Sequence, residues 1–192
     1  AGDTLILEDR ILEITLQDFP YSDDAPWPLC ADGTGYSLIL KNPSLNPDHS
    51  LASNWRCSRL PGGNPGTSDS QPLFAGEPHS DNDSDGFEQL LEHFLGTSDT
   101  VSSDTAGLVQ ISSTIAADTM TYPTLQVTYS IGADDVTPSA EWSSDLQIWS
   151  SLPAKVVQVS ETLNGNGTAT LVWRATLPST AAHQFFRLRV SN

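Results

Sequence analysis

Apolar and polar side chains alternate in short runs throughout the chain, and a period of two is the mark of half-buried β-strands. Near the start, Thr4-Leu5-Ile6-Leu7 and Ile11-Leu12-Glu13-Ile14-Thr15-Leu16 flank the polar break Glu8-Asp9-Arg10, which predicts a hairpin. Tyr36-Ser37-Leu38-Ile39-Leu40 and the shorter Asn54-Trp55-Arg56-Cys57 predict two further pairing segments, set among loops rich in proline and glycine. From about Gly107 onward, strands are expected at 108–111, 125–129, 156–159, 168–173 and 185–190, with Asn164-Gly165-Asn166-Gly167 as a tight hairpin turn. One stretch breaks the rhythm. In Phe87-Glu88-Gln89-Leu90-Leu91-Glu92-His93-Phe94-Leu95 the apolar residues fall at helical spacing, and Gly96 ends the run. The expected fold class is therefore all-β: two β-rich units, residues 1–66 and 101–192, the second with the strand spacing of a β-sandwich, joined by a connector over 67–100 that contains the short helix. Residues 67–80 have linker composition and little to bury.

Chemistry enters immediately before that helix. Asp81-Asn82-Asp83-Ser84-Asp85-Gly86-Phe87-Glu88-Gln89-Leu90-Leu91-Glu92 fits the calcium-loop pattern D-x-[DN]-x-[DN]-G-x5-E at every defined position. Side-chain oxygens at Asp81, Asp83 and Asp85 alternate toward a common centre, Gly86 permits the sharp turn, and the Phe87 carbonyl and Glu92 carboxylate close the shell. Gathered without a cation, such carboxylates repel, each close pair by up to ~4 kcal/mol at an effective dielectric near 20. Calcium is the expected ion, because magnesium demands a tighter octahedron and keeps more of its water. The competing explanation is an acidic turn whose aspartates merely favour a helix N-terminus. It does not account for the glycine and the distal Glu92 falling in register.

Charge sharpens the picture. The 192 residues carry 24 acidic against 8 basic side chains, a net charge of -16, with only 17% of residues charged. Such a chain repels nucleic-acid phosphates and anionic membranes and attracts divalent cations. No stretch reaches the roughly 18 apolar residues of a membrane helix, so direct membrane insertion is not expected. Ala1 begins no signal pattern and the single methionine is Met120, which suits a mature product or a fragment. Cys30 and Cys57 are either a disulfide, stabilising their segment by about 3 to 4 kcal/mol, or two separate buried thiols.

Catalytic constellations are not assembled. His49, His79, His93 and His183 lack zinc-ligand spacing, although His79 lies two residues before the loop. No G-x-S-x-G nucleophile motif occurs. Asp23-Asp24 and Asp134-Asp135 are adjacent pairs, which in a strand point to opposite faces and otherwise belong to loops. Trp27, Trp55, Trp142, Trp149 and Trp173 suit either a sandwich core or a sugar-stacking surface, and core is the expected role. The chain is therefore read as non-catalytic.

Three stretches carry family resemblances. The run from Asp23 to Gly66, with DDAPWP, ADGTGYSLIL, NWRCS and PGGNPG in order, resembles the C-terminal half of a bacterial lamin-tail domain, an immunoglobulin-like sandwich of secreted and surface proteins. Its usual N-terminal strands are missing here, which implies an incomplete sandwich and a partner that covers it. The loop and helix resemble the calcium units of thrombospondin type 3 and dockerin repeats, which implies calcium on Asp81, Asp83, Asp85 and Glu92, with Asp99 a loose fit for an assisting acid. Trp142 to Trp149 and the terminal Phe185-Phe186-Arg187-Leu188-Arg189-Val190 resemble C-terminal β-domains of large exported planctomycete and verrucomicrobial proteins. Together these imply a calcium-binding structural or interaction module of an extracellular, cell-surface or periplasmic protein. Two alternatives stand beside it: a cleaved subunit of an extracellular or membrane-associated assembly held by β-edge pairing, and a carbohydrate-binding accessory region of a secreted hydrolase.

Overall fold

A computed structural model describes residues 2–180 and 183–192. Strands β1 (Asp3–Asp9) and β2 (Ile14–Tyr21) form an antiparallel hairpin. Its turn spans residues 10–13, later than the predicted polar break, and puts Ile11 and Leu12 in the turn instead of a strand. The cause is local: the Asp9 carboxylate accepts the Ile11 and Leu12 amides at 2.8 and 3.0 Å, and Glu13 takes a left-handed conformation at φ 56°. Strand β3 (Leu38–Leu40) then pairs antiparallel with β4 (Trp55–Cys57).

Cα-level packing divides the chain after Gln71. In the first unit, among the described residues, Phe19 is the one large apolar side chain that is buried. Its ring stacks on His49 and Trp55, with centroids 5.3 and 5.5 Å away, and Trp27 lies beside Trp55. Cohesion comes instead from a disulfide and a buried ion pair. Cys30 and Cys57 are bridged, with Cα atoms 6.0 Å apart. Arg56 reaches the Asp69 carboxylate at 2.5 Å and its carbonyl at 3.1 Å, and the same carboxylate accepts the Arg59 amide at 3.0 Å. Asp69 thus departs from the linker expected over 67–80, because an arginine buried at Arg56 requires a counter-charge.

The second unit opens with Phe74, whose ring packs against the core, so this part of the expected linker also has something to bury. Helix α1 (Gln89–Leu95) follows and closes on Gly96 at φ 80°. Strands β5 (Val109–Ile115), β6 (Thr121–Ser130), β7 (Thr137–Ser143), β8 (Val156–Leu163), β9 (Thr168–Ala175) and β10 (Phe185–Ser191) complete it. Four of them form an antiparallel sheet in the order β5-β6-β9-β8, while β7 pairs with β10. Strict alternation turns Ala169, Leu171, Trp173 and Ala175 of β9 inward. They meet Leu125 and Val127 of β6, Ala140 and Trp142 of β7, and Leu90, Phe94 and Leu95 of α1 in one apolar core. The fold class is all-β and sandwich-like, with a single short α-helix among the described residues.

Candidate metal centre

The loop ahead of α1 turns twice through left-handed backbone, at Ser84 (φ 62°) and Gly86 (φ 93°). No atom lies within 4 Å of where a Gly86 Cβ would stand, so the glycine is needed for its backbone angle and not for space. These turns fold the alternating aspartates back on one another. Asp81, Asp83 and Asp85 each offer a carboxylate oxygen, all within 4.8 Å of one another. Backbone amides hold them there: Gly86 N–H donates to Asp81 Oδ2 at 3.0 Å, Asp85 N–H to Asp83 Oδ1 at 3.3 Å, and Phe87 N–H to Asp85 Oδ1 at 2.8 Å. The Thr105 hydroxyl, itself buried, donates to Asp85 Oδ2 at 2.7 Å.

Glu92 reaches the same region from α1. Its side chain is 1% exposed, because its neighbours on the helix, Leu90, Phe94 and Leu95, drive the helix into the core. One oxygen receives only a long contact from Thr97 Oγ1 at 3.4 Å, and Glu92 Oε2 is buried with no hydrogen-bond partner. Asp83 Oδ2 is in the same condition. Burial, and then the charges of Asp83 and Asp85, push the Glu92 carboxyl up to about 7. Asp83 is raised by its own burial and then by Asp85, with Asp81 and Asp104 adding to the effect.

These observations test whether a metal fits. Two orphaned, buried carboxylate oxygens beside a tight aspartate triad make a costly arrangement for side chains alone, and a cation removes the cost of both repulsion and missing partners. The side-chain donors are carboxylate oxygens, the hard ligands of calcium, magnesium and manganese, without the nitrogen or sulfur that zinc and copper prefer.

Of the residues singled out in the sequence, Asp81, Asp83 and Asp85 are brought together, and Glu92 lies within reach of the charges of the last two. Phe87 gives its amide to Asp85 and packs its ring against the core. Asp99 braces the loop from outside, accepting from Asn82 Nδ2 at 2.9 Å and from Gln89 Nε2. Sequence reasoning missed Asp104. Its carboxylate is fixed by the Ser98 amide at 3.0 Å, and its charge raises both Asp83 and Glu92. No loop spacing points to a residue so far beyond Glu92; only the return of the chain through Thr105 brings it back.

The remaining candidates have other partners. His79 pairs with exposed Glu88 at 2.7 Å. His93 meets Asp135 at 2.8 Å, and Asp135 also accepts the Phe74 amide at 2.6 Å, tying the entry segment to α1. Trp142 and Trp173 are core, while the Arg187 guanidinium lies over Trp149 at 4.4 Å. Among the described residues, no helix is long and apolar enough to cross a membrane.

Fold and site together define an all-β protein with a carboxylate cluster able to hold a metal ion. Comparison of the chain with protein-family models, with curated proteins and with solved structures finds no match.

Proposed function

We propose that this chain is a non-catalytic, calcium-binding structural module of an exported cell-surface or extracellular protein. Asp81, Asp83 and Asp85, the Phe87 carbonyl and Glu92 would hold the ion. The observation that carries this reading is the buried, unpartnered oxygen of Glu92 beside the aspartate triad. Calcium would neutralise the loop and pin it to α1, stiffening the stretch by which the chain enters its second unit. The Cys30–Cys57 disulfide accords with an oxidising compartment. Sites in extracellular modules bind calcium at about 10⁻⁴ to 10⁻³ M, so millimolar external calcium fills them while cytosolic levels do not.

The test is isothermal titration of metal-free protein with calcium and, separately, with magnesium, joined to limited proteolysis across residues 67–100. A dissociation constant within that range, tighter for calcium, and cleavage slowed by calcium are expected. With free calcium about 100-fold above the dissociation constant, the stability gain is about 2.7 kcal/mol. Equal melting and equal cleavage in calcium and in chelator would refute the proposal.

A further inference from the structure

The β1–β2 hairpin leaves an unusual amount of aliphatic surface in water. Leu5, Ile6 and Leu7 are 46, 56 and 52% exposed, and Ile11 at the turn is 92% exposed. Leu5 and Leu7 project from one face of the ribbon and Ile6 from the other, so both faces are apolar. The sheet has only these two strands, and a two-stranded ribbon cannot bury its own side chains. Exposed aliphatic edges are normally blunted, and here the register slips once, between Leu7 and Glu8, leaving Asp3 to Leu7 of β1 in regular pairing. Strand β2 carries Pro20 as such a block, whereas β1 has neither proline nor lysine.

The charge around this surface states what would cover it. Residues 3–21 hold Asp3, Glu8, Asp9, Glu13 and Asp18 against Arg10 alone. Near the turn, a groove of about 350 Å³ is lined by Glu8, Asp9, Arg10, Glu13, Ile14 and Thr15. Asp9 Oδ1 is taken up by the turn amides, and Glu8 and Glu13 outnumber the one cationic side chain of the lining, Arg10, so the groove keeps an excess of negative charge for an incoming cation. A second copy is the wrong occupant. Antiparallel pairing of two β1 strands about Ile6 would set Asp3 against Asp9 twice, between chains that each carry a net charge of -16.

We propose that β1 is a docking edge for another protein, whose pairing strand alternates aliphatic side chains and ends in a lysine or arginine that enters the acidic groove. Main-chain hydrogen bonds supply the affinity and the groove supplies the selectivity.

The test uses the full chain and two blocked synthetic peptides, each an alternating valine–threonine strand, one with lysine at both ends and one with glutamate. The lysine peptide is expected to shift the amide resonances of β1 and to bind at least tenfold tighter than the glutamate peptide at low salt, with the advantage shrinking at 0.5 M salt. Leu5→Ser with Leu7→Ser should weaken binding of the lysine peptide tenfold or more. Glu8→Gln with Glu13→Gln should abolish the preference for lysine while leaving the fold intact by near-UV circular dichroism. Equal binding of the two peptides, or no shift in β1, overturns the proposal. So does sedimentation showing that the chain self-associates through this edge and that Leu5→Ser abolishes it, since the occupant would then be a second copy.

Discussion

At the scale of single residues, Glu92 carries the most information. Its charge is buried, close to two other carboxylates and left with an unpartnered oxygen, a set of conditions that destabilises a metal-free fold and favours a metal-bound one. Glu92→Gln keeps the shape and removes the charge. It should therefore raise the melting temperature in chelator while weakening calcium binding by about tenfold or more, both read from calorimetry. Asp104 and Asp99 separate electrostatic from mechanical support. Asp104→Asn should weaken calcium binding by about threefold to tenfold, equivalent to roughly 1 kcal/mol, whereas Asp99→Asn should change it by less than about twofold. The aspartate cluster of the loop was legible in the sequence, because its spacing is a property of a single turn of backbone. Asp104 was not, because its role depends on the Thr105–Asp85 hydrogen bond that folds a distant segment back.

At the scale of elements, α1 is too short to persist alone, since isolated helices below about 12 residues are marginal in water. It is held by Leu90, Phe94 and Leu95 in the core, with Phe94 stacked on Tyr129 at 4.8 Å. Phe94→Ala should cost about 3 to 5 kcal/mol in denaturant unfolding and should also abolish calcium binding, because Glu92 loses its fixed position. The entry segment is held differently. Burial opposes ionisation of Asp135, but the Phe74 amide and His93 outweigh it and bring its pKa below the usual value. A group depressed in the folded state contributes stability above its unfolded value, about 3.8, and loses it as pH falls through the lower folded value. Asp135→Asn should therefore destabilise the second unit at pH 7, and the difference from the parent chain should shrink below about pH 3.8, as melting curves across pH would show. Most strands were readable from alternation. Strand β7 was not, because Thr137-Pro138-Ser139-Ala140-Glu141 lacks an apolar alternation and is made a strand by pairing with β10.

At the scale of the whole molecule, the two units are held by different means. The second has a continuous apolar core, while the first relies on the Cys30–Cys57 bridge and the Arg56–Asp69 pair around a small ring cluster. Closing a loop across a separation of 27 residues is worth about 3 to 4 kcal/mol. Reduction should accordingly unfold the first unit, seen as collapse of its amide dispersion, and leave the calcium response of the second unchanged. Parallel loss of both would show that they fold as one.

Composition and spacing by themselves determined that this is an acidic, all-β chain with one short α-helix and a loop whose three aspartates gather into a cluster that could hold a metal ion. Those properties follow from side-chain periodicity, turn residues and charge, which act over a few positions. Tertiary structure alone decided that the cysteines meet, that Asp69 balances Arg56, that the charge of Asp104 acts on Asp83 and Glu92, and that Glu92 is buried without a partner for one oxygen. Each of these depends on contacts between segments far apart in the chain, and burial in a shared core, not local preference, sets them.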